Sequence, residues 1–264
     1  MTIGASGGAA IGGITSHSQL TDLTYGSSGH TGFMSSANYI PGNTTLYVKL
    51  DGSGDFDNIT DAINFLEGKW SDGTVFIQLG DGTFNISSTL TISGRKCSIR
   101  AVYIKGNGIN NTTIAYIGTN QDDRIFHANN YQLLYIEDMT LTSTYGTKQS
   151  RGVTASVSGN PYLTRVAFDN FSAAISIFAQ GLVTVSGGCS FSNCTNAVKA
   201  DPGTCSVDIF SQISFTNVGT AWSVGNGGVI RGGSANCTYT SVTTKVSQTV
   251  GTATNNGWIT GLTV

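Results

Sequence analysis

Five acids are the candidates for sugar-cleaving chemistry: Asp122, Asp123, Glu137, Asp138 and Asp169, with His127 and Arg165 close by in the chain. Glycoside hydrolysis uses two carboxyl groups about 5–9 Å apart, one giving a proton to the leaving oxygen and one remaining ionised. Each residue also has a plainer reading. Asp122–Asp123 falls in the turn-like string GTNQDDR, and His127 in the strand-like string RIFHAN, where a partly buried, hydrogen-bonded histidine is the common case. Asp138 and Arg165 occupy equivalent places in a repeat and suit a surface ion pair. Carboxylates on neighbouring turns of a repeating fold fall within this range by geometry alone. The sequence therefore assigns no catalytic residue.

Metal and redox chemistry fare no better. Cys97, Cys189, Cys194, Cys205 and Cys237 form no C-x-x-C pair and have no histidine at zinc spacing. They read as free, mostly buried thiols of a protein made in a reducing compartment. His17 and His30 are candidate metal ligands, but histidines bonded to backbone are commoner. No metal and no cofactor are expected.

The elements that would position these residues follow from composition and pattern. Of 264 residues, 35 are Gly and only 11% are charged, against about 25% charged in ordinary domains. Only Glu67 and Glu137 are glutamates, so long solvated helices are improbable. A formal net charge of −2 leaves no basic footprint for nucleic acid. Apolar residues spread along most of the chain argue against disorder. No apolar run is long enough to span a membrane, and residues 1–15 lack the cationic start of a signal peptide.

One helix is expected, at about 58–67. Phe56, Ile59, Ala62, Ile63 and Leu66 recur at helical spacing, Asp57 is placed to cap the first turn, and Gly68 sits at the C-cap. Strand-type alternation begins near Thr45, and the second half repeats. The segments Tyr135–Thr144, Tyr162–Phe171, Val185–Cys194, Ile209–Val218 and Gly233–Val242 start 27, 23, 24 and 24 residues apart. Aligned, they stack Met139, Val166, Cys189, Ile213 and Cys237, then Leu141, Phe168, Phe191, Phe215 and Tyr239. Two residues on come Ser143, Asn170, Asn193, Asn217 and Ser241, and three repeats share Ala174, Ala197 and Ala221.

Such a period with strand alternation marks a solenoid. Equivalent residues of a parallel β-helix lie about 4.8 Å apart, so the aromatic column fills the interior. The asparagine column suits left-handed corners, with amides bonding from turn to turn. Cys189 and Cys237, two turns apart, lie beyond disulfide reach. The fold expected is all-β, a right-handed parallel β-helix over 46–264 of roughly eight or nine rungs, with the helix capping its open end. Tyr103, Tyr116, Tyr131, Tyr145, Trp222 and Trp258 are surface aromatics or, more in keeping with their type, core or interface residues.

Residues 1–45 carry one charge, Asp22, and could not form a core alone. Ile11, Ile14, Leu20, Leu23, Phe33 and Met34 would order only against partner chains.

Two resemblances add to this. TLYVKLDGSGDFDNITDAINFL is similar to the opening of pectin-lyase-like right-handed β-helix proteins, which include pectin methylesterases and the tailspikes and tail fibres of bacteriophages. HSQLTDLTYGSSGHTGF resembles a short motif near the start of many phage tail and baseplate proteins, matching at His17, Ser18, Leu20, Leu23, Ser28, Gly29, His30, Thr31, Gly32 and Phe33. The resemblance implies a homotrimeric virion component assembled in the host cytoplasm. Residues 1–45 would be an extended arm holding other tail proteins and the trimer through His17, Leu20, Leu23, Gly29, His30, Gly32 and Phe33. The β-helix would face outward as an adhesin or spacer for host-surface polysaccharide.

The catalytic strings of pectin methylesterases and the calcium-binding acids of pectate lyases do not appear in the matching rungs, YIEDMTLTSTYG and YLTRVAFDNFSA. The expectation is therefore a non-catalytic tail fibre or tailspike. The alternative is a polysaccharide-degrading tailspike that uses the exposed acids.

Overall fold

The computed structural model describes residues 38–120, 124–130, 133–144, 150–200, 205–210, 212–225, 227–235, 237–248 and 258–262. The chain divides into Met1–Tyr39 and Ile40–Val264, and nearly all described residues belong to the second unit. The attachment residues expected between His17 and Phe33, and Asp122, Asp123, Tyr131 and Tyr145, lie outside the described residues.

The fold is a parallel β-solenoid. A full turn carries three short strands, as in Leu182–Val185, Cys189–Ser192 and Asn196–Ala200. The first face stacks Thr44–Val48, Trp70–Leu79, Ser98–Lys105, Leu133–Ser143, Asn160–Asp169, Leu182–Val185, Ser206–Ile209, Val229–Ala235 and Trp258–Leu262. The third face stacks seven strands from Leu90–Ser93 to Thr244–Gln248. The second face includes the latter halves of two long first-face strands and continues through Cys189–Ser192, Ile213–Thr216 and Cys237–Thr240.

Among the described residues the solenoid makes roughly seven turns, with seven strands on the third face and nine on the first. The early turns are longer: Val75 pairs with Val102 and Val102 with Leu134, steps of 27 and 32 residues.

The inward columns fall as the repeat predicts. Phe168 pairs with Leu141 below it and Phe191 above it, and Phe215 and Tyr239 continue the line. Consecutive rings stack with centroids 5.0, 5.3 and 5.2 Å apart, close to the spacing of hydrogen-bonded strands. Ala174, Ala197 and Ala221 are fully buried. None of the five cysteines forms a disulfide; four are buried and Cys237 is half-buried.

The asparagine corner also forms. Asn170, Asn193 and Asn217 hold left-handed backbone at φ 65°, 53° and 53°, and Ser241 follows at 53°. The side chains make a mixed ladder rather than a uniform one. Asn217 Nδ2 donates to Asn193 Oδ1 at 3.4 Å, whereas Asn193 donates to Asp169 at 2.7 Å and Asn170 to the Ser143 carbonyl at 2.6 Å.

The helix spans Ile59–Phe65, burying Ile59, Ala62 and Ile63 against Thr44–Val48 and Leu90–Ser93. Its N-cap is Asn58, not Asp57. Asn58 Oδ1 accepts from the Asp61 amide at 2.8 Å, while its own amide group donates to both Asp57 and Asp61. Gly68 takes the expected left-handed conformation, φ 73°.

Candidate functional site

The first face turns two columns of side chains outward, and these carry its chemistry. On each strand the flanking residues point inward, as Val75 and Ile77 do around Phe76, so alternation sends the residue between them to the surface. Phe76, Tyr103, Tyr135 and Tyr162 share one such column in register. Their centroids are 5.1, 3.9 and 4.8 Å apart, and the last two pairs lie nearly parallel, at 5° and 15°. The rings are half-buried, each covering part of its neighbour's face. Burial, then the neighbouring Tyr135, raises the Tyr103 phenol above its ordinary pKa. Asn160 Nδ2 donates to the Tyr162 hydroxyl at 3.3 Å.

The next outward column is Gln78, Lys105, Glu137 and Thr164. Beside it, at the corner into the second face, lie Asp138 and Arg165. Arg165 Nε and Nη2 donate to Asp138 Oδ1 and Oδ2 at 2.5 and 2.9 Å. Lys105 lies 3.7 Å from Asp138, and Arg165 lies 3.6 Å from Glu137. The ion pair expected from the repeat is therefore present, enlarged to two acids and two bases. The Arg165 hydrogen bond, with support from both cations' charges, holds the Asp138 carboxyl below the usual carboxylate range. A proton donor to a leaving sugar oxygen needs the opposite shift, upward toward neutrality.

The other candidates are elsewhere. Asp169 ends the second-face half of its strand and accepts from Ser192 Oγ and Asn193 Nδ2, both at 2.7 Å. His127 lies on the third face, where Nδ1 is 2.8 Å from Thr154 Oγ1 and Nε2 is 3.2 Å from Ser156 Oγ. Burial, followed by the charge of Arg124, pushes its pKa down to about 4. His127 is thus the hydrogen-bonded, partly buried residue that its string suggests. Among the described residues no group of three or more His, Cys, Asp or Glu could hold a metal ion. None of the described helices is long and apolar enough to cross a membrane.

The aromatic column is what the sequence reading missed. Tyr135 and Tyr162 open two of the repeat segments, but the alignment set Val185 beside Tyr162. In the fold Tyr162 pairs with Thr184, and Leu163 with Val185. Gly187–Gly188 accounts for the slip: Leu163 lies three residues before Val166, whereas Val185 lies four before Cys189. Correcting the slip places Thr184 above Tyr162, whereas Phe76 and Tyr103, the rest of the column, lie in turns before the repeat segments begin. Of the other aromatics, Tyr103 is in the ladder, whereas Tyr116 and Trp222 are core, with Trp222 Nε1 donating to the Tyr239 hydroxyl at 2.8 Å.

The sequence matches no family model and no curated protein. Among solved structures, a pectin methylesterase from carrot is similar, with 12% identity, a TM-score of 0.46, and coverage of 84% of this chain and 89% of that one.

Proposed function

We propose that the chain is a non-catalytic adhesin of a phage tail or baseplate. Its solenoid serves as a rigid spacer whose first face meets carbohydrate on the host surface. The observation that carries this reading is the outward ladder Phe76–Tyr103–Tyr135–Tyr162, lying beside Gln78, Lys105 and Glu137. Aromatic rings on an exposed strand face, edged by groups that donate and accept hydrogen bonds, are the composition of a recognition surface. The chemistry of the same face favours binding over cleavage, because Arg165 keeps the Asp138 carboxyl ionised.

The virion assignment is supported by the resemblance of His17–Phe33 to tail and baseplate attachment motifs. On this reading residues 1–45 form the arm that joins three chains to the particle. The helix Ile59–Phe65 covers the open end of the stack, keeping its apolar interior and strand edges from pairing with other chains.

The test incubates purified full-length protein with host cells and with extracted capsule or cell-wall polysaccharide. Binding to cells without new reducing ends is expected. New reducing ends that disappear in Glu137→Ala or Asp138→Ala would replace the adhesin with a degrading tailspike. A stable monomer by mass measurement, or a chain lacking residues 1–40 that still joins particles, would remove the anchor assignment.

A further inference from the structure

The second outward column changes character above Thr164. Leu163 pairs with Val185 and Val185 with Ile209, so Thr164, Ser186 and Phe210 follow one another on successive turns. The backbone agrees, with Ser186 N donating to Leu163 O at 2.7 Å and Phe210 N to Val185 O at 3.0 Å. Two small hydroxyl residues beneath a large ring leave a gap. Its sides and floor are Thr164, Arg165, Ser186, Gly187, Gly188 and Phe210, around an open notch of about 440 Å³. Gly188 keeps it open: its φ is 77°, and a β-carbon there would stand 3.1 Å from Arg165 Cγ. Phe210 is 58% exposed, the most exposed large apolar side chain among the described residues.

We propose that this notch binds a neutral pyranose of a host glycan. The apolar face of the sugar would lie on Phe210, with its hydroxyls bonded by Arg165, Thr164 and Ser186. The notch is open and shallow, so it suits a single ring laid on its surface rather than an enclosed ligand. One exposed ring among Thr, Ser and Gly is not the contiguous apolar patch that a protein partner would bury. An anionic sugar or phosphate is disfavoured because the Arg165 charge is already met by Asp138. The guanidinium still offers Nη1 hydrogens to uncharged hydroxyls. A second hollow of about 290 Å³ lies across Gly188 and is lined in part by Gln212, Ser214 and Thr238. It adjoins the notch through their shared Gly188.

This inference rests on the adhesin reading and gives it a ligand class and a place. Calorimetry on the full-length chain would use neutral gluco-, galacto- and mannotrisaccharides, with a uronate trisaccharide and inorganic phosphate as anionic probes. A neutral trisaccharide should bind with a Kd of about 1 mM or tighter. Phe210→Ala should weaken it about tenfold or more, Ser186→Phe should abolish it by filling the notch, and Phe210→Trp should retain it. Because Phe210 is exposed, an unchanged unfolding midpoint would show that the Ala variant is folded. No binding by the neutral probes, preference for the anionic ones, or binding indifferent to both notch variants would overturn the proposal. Host-cell binding separates the two readings. Adhesion that survives both variants removes the notch and keeps the adhesin, whereas sugar binding without adhesion does the reverse.

Discussion

Arg165 grips Asp138 through two hydrogen bonds, and both residues hold left-handed backbone, φ 50° and 57°. The next turn places Gly188 at the same corner with φ 77°. The corner needs a conformation that costs an ordinary side chain about 1–3 kcal/mol, and in the two lower turns the ion pair offsets part of that cost. Asp138→Ala loses the pair and keeps the strain, so it should destabilise by about 0.2–1 kcal/mol. Asp138→Gly loses the pair but releases the strain, so it should be more stable than the Ala variant by about 1 kcal/mol or more. Urea unfolding of both variants checks this, and equal losses would remove backbone strain from the account.

The same pair has a pH signature. Because the folded carboxyl titrates below its unfolded value, its contribution is complete above about pH 4 and is lost as pH falls through the depressed pKa. Wild type and Asp138→Asn should therefore differ in stability at pH 7 and converge below about pH 4. A gap that does not begin to narrow as pH falls below about 4 in urea titrations would contradict this.

Phe191 lies between Phe168 and Phe215, with interplanar angles of 6° and 11°, and is 1% exposed. The column already accepts leucine, at Leu141 below Phe168. Phe191→Leu should therefore cost less than about 1.5 kcal/mol, and Phe191→Ala about 3–5 kcal/mol. Denaturant midpoints at constant slope would report both values. A small loss for Ala would mean that neighbouring turns close the gap.

Burial pushes the Cys97 thiol up to about 11 and those of Cys189 and Cys194 to about 12, while Cys237 is raised and only half-buried. Since the thiolate is the reactive species, iodoacetamide at pH 8 should label Cys237 first. Cys97, Cys189 and Cys194 should react only after urea is added. Peptide mapping of labelled native protein distinguishes the sites.

What the sequence revealed depended on repetition. Phe168, Phe191, Phe215 and the Asn170–Asn193–Asn217 corner recur at a nearly fixed step, and identical demands for burial or left-handed backbone selected similar residues there. The Asp138–Arg165 pair was legible for the same reason, one turn apart. The ladder from Phe76 to Tyr162 was not, because its steps of 27, 32 and 27 residues include loops of unequal length. Nor was the notch, which depends on Gly187–Gly188 moving Ser186 and Phe210 into line with Thr164.

His127 provides the last test, on the third face. Its imidazole sits against Thr154, Ser156 and Arg124, with a pKa pushed down to about 4 from 6.5. In the unfolded chain the ring takes up a proton as pH falls through about 6.5, whereas the folded chain resists until about pH 4. Between these values the unfolded state binds more protons, so stability is full above the upper one and declines toward the lower. A single proton sets a ceiling of about 1.4 kcal/mol per pH unit, and residual solvent contact lowers the slope. In His127→Gln the amide keeps a donor and an acceptor for Thr154 and Ser156 but does not titrate. Stability of wild type minus variant should therefore rise from pH 4 to 6.5 and level off above it. A flat difference, or an imidazole resonance titrating near 6.5 in the folded protein, would show that the ring is solvated rather than enclosed.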